Sequence, residues 1–180
     1  YERYKCWVPD SDTLVSEIPS GHVVLSGKWV DKAKMDHTKG GEPTWIGRSR
    51  WTPRGFEDWF SSNNDSPTAS MIAHRVPETL GLQRRWVTFT ADVRSAFFQN
   101  DQEPRKPTWV VLPPEEQPNK DATKQNRVAR RLAKEVPGTK GAPLAWFKTL
   151  RNFLLEFGCK QSKLDPCVFW GYNKKGDVCG

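Results

Sequence analysis

What this sequence has little of narrows its class first. No run of about 18 apolar residues occurs, so no stretch reads as a membrane span. The N-terminus lacks a charged segment followed by an apolar one, and no secretion signal is implied. Histidine occurs only three times, and His74 has no second histidine near it to complete a site, so it reads as structural or exposed. The four cysteines, Cys6, Cys159, Cys167 and Cys179, lack the close paired spacing of a zinc site and read as reduced intracellular thiols. Acid is in deficit as well: 28 Lys and Arg stand against 21 Asp and Glu, a formal charge of +7, with a pI near 9.3. That balance favours a polyanionic partner, although many ordinary basic proteins share it.

What is present is one domain's length of chain, 180 residues, enough to bury a core. Nine Trp and nine Phe are many for that length, while a mean hydropathy of −0.73 makes the remainder polar. The stretch from Trp86 to Ala91 alternates large with small or polar side chains and is rich in aromatic and β-branched residues, which predicts a strand. Asp92 then stands at its C-terminal end, where α/β sheets present ligands. A lone Asp after a strand is also a common turn or helix-cap residue. Ala96, Phe97 and Phe98 follow within one turn.

Tyr1 to Gly21 mixes aromatics, acids and proline without period, and reads as the leading edge of a longer polypeptide. Val23–Leu25 and Lys28–Met35 are strand material, and the glycines of 37–41 predict a turn. Thr44–Phe56 resumes strand character, giving a hairpin that carries Lys28, Lys32, Lys34, Arg48, Arg50 and Arg54. Trp29, Trp45 and Trp51 interleave with these cations, a combination suited to phosphates and stacked bases. Pro53 removes a backbone donor, so its strand must be an edge or bulged there.

Asp58–Asp65 is a polar loop, and Ser66-Pro67 has the pattern of a helix start. Met71, Ile72, Val76 and Leu80 lie at helical spacing and read as core, with Pro77 expected to kink or shorten the helix. Thr108–Leu112 predicts a short strand ended by Pro113-Pro114. Arg127–Val136 fits either a helix or a strand. Ala142–Phe157 is the clearest helix, with Trp146, Leu150, Phe153, Leu154 and Phe157 on one apolar face and Gly158 as its stop. Val168–Trp170 and Asp177–Cys179 are further strand segments around the Asn173–Gly176 turn.

Several motifs occur in one order. They are Gly27-Lys28-Trp29-Val30, Arg48 to Phe56, Ser66 to Ser70, Asp92-Val93 with Ala96-Phe97, Trp109 to Pro113, Lys140 with Ala142-Pro143 and Ala145-Trp146-Phe147, and Gln161-Ser162 with Asp165 to Phe169. This order resembles the reverse transcriptase of copia-type LTR retrotransposons over most of the chain, from about Ser26 onward. The resemblance implies an α+β fold of fingers and first part of palm, with an antiparallel sheet and packed helices, truncated before an x-Asp-Asp hairpin. It implies a leading segment at 1–25 and a partial reverse transcriptase domain at 26–180, and it makes Arg127–Val136 a strand.

The resemblance also assigns roles. Asp92 is the catalytic carboxylate, and Asp92 with the backbone carbonyl of Val93 ligates Mg²⁺ (or Mn²⁺). Arg54 holds the incoming triphosphate, for which a guanidinium fork is apt. Phe97 lies beneath the incoming sugar. Arg48, Arg50 and Lys140 contact nucleic acid. The implied partners are an RNA or DNA template–primer, deoxynucleoside triphosphates and the rest of a Pol polyprotein, with no membrane, and the implied location is intracellular, in a cytoplasmic particle, the nucleus or both. Departures accompany it: Trp51-Thr52-Pro53 replaces Leu-Val-Ala before Arg54, Gly141 stands in place of Gln and Leu144 in place of Arg. The expected activity is two-metal nucleotidyl transfer in the full-length protein, with the 180 residues alone inactive for want of two further carboxylates. The reading kept beside it is a non-catalytic nucleic-acid-binding remnant of such an element.

Overall fold

Short strands separated in sequence build the first sheet of the computed structural model, which describes residues 1–36, 44–60, 64–119 and 123–179. The glycine turn expected at 37–41 and residues 61–63 of the polar loop lie outside these. The chain divides into two compact units, residues 1–62 with 102–142, and residues 63–101 with 143–180.

In the first unit, β1 (Thr13–Leu14), β2 (Val23–Leu25), β5 (Thr108–Val111) and β6 (Val128–Arg131) form a sheet in the order β1-β6-β5-β2. The expected antiparallel pairing holds for β1–β6 and β5–β6. It fails for β2–β5, which run parallel with Val23 opposite Thr108 and Leu25 opposite Val110. The physical reason is the long crossover: more than eighty residues separate these strands, and parallel pairing needs such a connection. Arg127–Val136 resolves as strand at 128–131 rather than helix.

The core here is small. Val23, Leu25, Trp109, Val110, Leu112, Ala129, Leu132 and Val136 are buried. The leading segment enters it: Cys6 is buried, its carbonyl accepts from Ala133 N–H at 2.8 Å, and Val8 N–H donates to Arg131 at 3.0 Å. Burial pushes the Cys6 thiol above its ordinary range, and Cys6, Cys159 and Cys167 are free thiols. From the edge of β2 the chain passes into a two-stranded ribbon, β3 (Gly27–Asp36) with β4 (Thr44–Pro53), in unbroken antiparallel register from Gly27–Pro53 to Asp36–Thr44. Pro53, the last residue of β4, sits on a strand with one partner only, as its missing donor requires.

In the second unit, α1 spans Met71–Arg84 and α2 Ala142–Glu156, followed by β7 (Lys160–Gln161), β8 (Phe169–Tyr172) and β9 (Val178–Cys179) in a three-stranded antiparallel sheet. The start of α1 differs from expectation. Its cap is Ser70, whose hydroxyl accepts from Ala73 N–H at 3.1 Å, and Ser66 instead donates to the Pro143 carbonyl at 3.2 Å. Pro77 does not shorten the helix, because proline removes one rung and the turns beyond it continue to Arg84. The stripe expected as core is exposed: Met71, Ile72, Val76 and Leu80 all face solvent. Periodicity places these side chains on one face, but a face is buried only where a second element packs on it.

The same logic corrects Trp86–Ala91, which is not a strand. Alternation prepares a chain for a sheet, yet a strand exists only with a neighbour for its N–H and C=O groups. No ladder partner for this stretch occurs among the described residues, and Val87 and Phe89 are exposed. On α2 the apolar face is mixed: Ala142 and Ala145 are buried, Trp146, Leu150 and Leu154 half-buried, and Phe153 and Phe157 exposed and stacked on each other at 6.2 Å. Gly158 ends the helix with φ +96°, as expected.

The loop between β6 and α2 is closely packed. Gly138 has φ +105°, and a Cβ there would lie 2.5 Å from the Pro53 carbonyl oxygen. Gly141 gives way to Glu135, since a Cβ on 141 would lie 2.2 Å from Glu135 Oε1. The Thr139 hydroxyl bonds Glu135 Oε2. Burial pushes the Glu135 carboxyl above the ordinary carboxylate range, with Asp58 adding to it, against the pull of the Thr139 hydroxyl and Arg105.

Two expectations follow from this loop. Gly158 has open space around it, so Gly158→Ala loses only the left-handed backbone term of about 1–2 kcal/mol. Gly138→Ala adds a backbone clash to that term and should lower the urea midpoint further than Gly158→Ala does; an equal shift would refute the packing argument. Glu135 binds its proton more tightly folded than unfolded, so its contribution to stability is complete below the ordinary glutamate range. It is lost as pH rises through the raised folded value. Glu135→Gln should therefore be more stable than wild type at neutral pH and show a flatter stability profile above the ordinary glutamate range, measured by denaturant titration at stepped pH.

Candidate nucleic-acid interface

The ribbon's register decides which side chains act together. Directly opposed residues of an antiparallel pair share a face, and successive residues alternate faces. Lys28 opposes Thr52, Val30 opposes Arg50, Lys32 opposes Arg48 and Lys34 opposes Ile46. Lys28, Lys32, Lys34, Arg48 and Arg50 therefore stand on one face, all exposed. Trp29 opposes Trp51 and Met35 opposes Trp45, and these occupy the other face. The interleaving of tryptophan and cation in the sequence thus becomes separation on the ribbon. Trp29 and Trp51 pack edge to face at 5.5 Å, and Trp29 Nε1–H donates to Glu115 at 3.3 Å. Trp51 lies over Gly27, where a Cβ would come within 2.3 Å of the indole.

At the base of the ribbon, β4 ends and Arg54 begins a short 3₁₀ turn, Gly55–Glu57. The Arg54 backbone is fixed on both sides: its N–H donates to the Ser26 carbonyl at 2.8 Å, and the next N–H, of Gly55, donates to Gly138 at 2.9 Å. Gly55 can approach so closely because it has no Cβ; one would stand 2.2 Å from that carbonyl. Glu57 sits 3.7 Å from Arg54 Nη1. Its carboxylate is held in turn by Ser26, through the N–H at 2.7 Å and the hydroxyl at 2.6 Å. Burial opposes charge on Glu57, but the two Ser26 bonds and Arg54 outweigh it and bring its carboxyl below the ordinary range. Lys140, expected as a nucleic-acid contact, is exposed and donates to the Asp58 carbonyl. Arg54 and Lys140 are thus brought to one pair of loops.

Asp92, Val93 and Phe97 belong to the second unit. Asp92 and Val93 are exposed in an irregular stretch, not at the end of a strand. Ser95, with φ +55°, turns the chain into the 3₁₀ helix Ala96–Gln99, and the Asn100 side chain donates to the Phe97 carbonyl at 2.5 Å. Within that turn Phe97 is exposed while Phe98 is half-buried. Among the described residues no group of three His, Cys, Asp or Glu side chains could hold a metal ion.

Two residues of the first unit escaped the sequence reading. Ser26 falls between the two predicted strands and Glu57 between the predicted strand Thr44–Phe56 and the loop Asp58–Asp65, and neither was given a role. The spacing of Glu57 three residues after Arg54 was the available signal, whereas Ser26 is 31 residues away and only the fold brings it near.

Comparison with known proteins bears on these residues together. The family described as reverse transcriptase (RNA-dependent DNA polymerase) matches residues 10–179. A curated relative, the "Retrovirus-related Pol polyprotein from transposon TNT 1-94" of Nicotiana tabacum, is 28% identical over 160 residues, covering 86% of this chain and 11% of that protein. The chain thus spans about a tenth of the length of that relative. No solved structure matches. No helix among the described residues is long and apolar enough to cross a membrane. With the match running through nearly every element described above, the chain belongs to the reverse transcriptase family, of the copia type carried in retrotransposon Pol polyproteins.

Proposed function

We propose that this chain handles template and incoming nucleotide during template-directed synthesis of DNA from deoxynucleoside triphosphates, as one part of a longer Pol polyprotein acting inside the cell, in a cytoplasmic particle, the nucleus or both. The observation that carries the reading is the ribbon face with Lys28, Lys32, Lys34, Arg48 and Arg50 together. A strand laid along that face gives each phosphate a cation and releases counterions. The tryptophans stand on the other side, so the contact is electrostatic rather than stacked. Lys140 adds a cation beside the same ribbon base. Arg54 takes the triphosphate, since its fork donates two parallel bonds to phosphate oxygens. Residues 1–25 are proposed as the leading segment of the domain at 26–180, to whose first sheet they contribute β1 and β2.

Asp92, with the carbonyl of Val93, is the proposed ligand pair for Mg²⁺ or Mn²⁺, and Asp92 is the proposed catalytic carboxylate. Reverse transcriptases generally use divalent metals, and a two-ion clamp needs more carboxylates than one. The transfer step is proposed for the longer polyprotein; among the described residues no group of three His, Cys, Asp or Glu side chains is brought together. A non-catalytic nucleic-acid-binding remnant is the second reading, favoured by Gly141 in place of the family's Gln and Leu144 in place of Arg.

The 180-residue chain should bind single-stranded nucleic acid with log affinity falling steeply against log salt, and should not extend a primer. Each phosphate contact contributes a slope of about −0.7 to −0.9. Replacing Arg48, Arg50 and Arg54 together with Ala should flatten the slope by roughly two to three units. An unchanged slope would reduce the ribbon to a solvated face, and primer extension by the purified chain would overturn the division of labour.

Phe97 is proposed as the sugar gate. An apolar ring under the incoming sugar leaves a 2′-hydroxyl without a partner, and stranding a buried hydroxyl costs roughly 1–3 kcal/mol. In the parent polyprotein, Phe97→Ala should raise ribonucleotide incorporation while deoxynucleotide incorporation survives. Equal loss of both would make Phe97 a packing residue.

A further inference from the structure

The ribbon base contains a chain of contacts that neither the cationic face nor the proposed phosphate role of Arg54 accounts for. Ser26 lies between β2 and β3, and both of its donors point at one carboxylate, Glu57. The N–H takes Oε2 and the hydroxyl takes Oε1, so both oxygens are engaged and the carboxylate plane has little freedom. The same Ser26 offers its carbonyl to the Arg54 N–H at 2.8 Å. One residue therefore holds the backbone of Arg54 and the carboxylate beside its side chain.

Glu57 Oε1 faces Arg54 Nη1 at 3.7 Å. A guanidinium has five N–H donors, and an approach at one Nη leaves the remaining donors for another acceptor. The Arg54 side chain is 42% exposed, so it is restrained but still open to a ligand. A long flexible side chain loses rotamer entropy on binding, and a fixed neighbouring charge that has already limited its rotamers reduces that loss.

We propose that Glu57 is a positioning residue, fixed by Ser26, that holds the Arg54 guanidinium ready for a polyphosphate. This rests on the reading of Arg54 as the triphosphate ligand. Glu57 does not itself touch phosphate, since a carboxylate would repel it; its action runs through Arg54. The pair is worth little as an exposed salt bridge, and its value lies in restricting where the fork points.

The test uses the 180-residue chain with inorganic tripolyphosphate as the probe. The variants are Glu57→Gln, Ser26→Ala and Arg54→Ala, with Glu57→Gln also made in the Arg54→Ala background. Nitrogen-15 NMR of the arginine side chains reports rotation of the Arg54 guanidinium without any ligand. In wild type that rotation should be restricted, and Glu57→Gln should free it, with Ser26→Ala between the two. Affinity for tripolyphosphate should fall about two- to fivefold in Glu57→Gln, the scale of one partly exposed ion pair. Arg54→Ala should lose more, and adding Glu57→Gln to it should change nothing further.

Arg54 signals that are the same in Glu57→Gln as in wild type overturn the positioning role whatever the phosphate data show. Tighter tripolyphosphate binding by Glu57→Gln also overturns it, because Glu57 would then be a competitor for the guanidinium. An equal Glu57→Gln effect with and without Arg54 does the same. Freed Arg54 rotation together with phosphate affinity indifferent to Arg54→Ala strikes instead at the triphosphate reading, and leaves the Ser26–Glu57–Arg54 link standing as structure alone.

Discussion

The base of the ribbon depends on one backbone contact, the hydrogen bond from Gly55 N–H to the Gly138 carbonyl at 2.9 Å. Neither residue could carry a side chain there: a Cβ on Gly55 would overlap that carbonyl, and one on Gly138 would meet the Pro53 carbonyl at 2.5 Å. The contact joins the end of β4 to the loop after β6. Arg54 is the residue between the last strand position and this bond, so its backbone inherits the fixed geometry. Lys140, two residues beyond Gly138, reaches back to the Asp58 carbonyl and closes the same junction. The Arg54 backbone is thus set by contacts between main chains, which are stiffer than contacts between long side chains, whereas Lys140 joins the junction through its own side chain.

The ribbon shows how a strict period of two sorts chemistry. Lys28, Lys32 and Lys34 alternate along β3 with Trp29, Asp31, Ala33 and Met35, and the register with β4 adds Arg48 and Arg50 to the lysine face. A slip of one residue would bring tryptophan opposite lysine and mix the faces. The Trp29–Trp51 pair opposes such a slip, since its edge-to-face packing at 5.5 Å exists only in the observed register. Aromatic packing on one face therefore maintains the charge alignment on the other.

Much of the architecture was legible because local signals sufficed. Gly158 after an apolar stripe marked the end of α2, and β-branched runs marked β2 and β5. The failures share one cause, which is that burial and pairing are not local. Trp86–Ala91 has strand composition but no paired neighbour among the described residues, and the Met71–Leu80 stripe has helical spacing but lies exposed. The helix cap slipped from Ser66 to Ser70 because the proline after Ser66 marked the earlier serine as the start, whereas the capping bond from Ala73 N–H goes to Ser70. For the candidate site, the residue types were legible at Arg48, Arg50 and Arg54 while their facial grouping required the register. Ser26 and Glu57 stayed hidden because 31 residues separate partners that meet at 2.6 Å.

For Arg54 as the proposed triphosphate ligand the electrostatics pose a question of competition, since a carboxylate beside it could neutralise it. Magnitudes decide. At 3.7 Å, with the two side chains 42% and 30% exposed, the Glu57–Arg54 pair is of the partly exposed kind that contributes about 0.2–1 kcal/mol. A bidentate bond from a guanidinium to phosphate is shorter, charge-assisted and stronger than a neutral hydrogen bond. A triphosphate also carries more negative charge than one carboxylate. Glu57 is, in addition, already occupied on both oxygens by Ser26, so it has less to offer the guanidinium than a free carboxylate would. The pair is strong enough to bias where the fork points and too weak to keep it from a better acceptor.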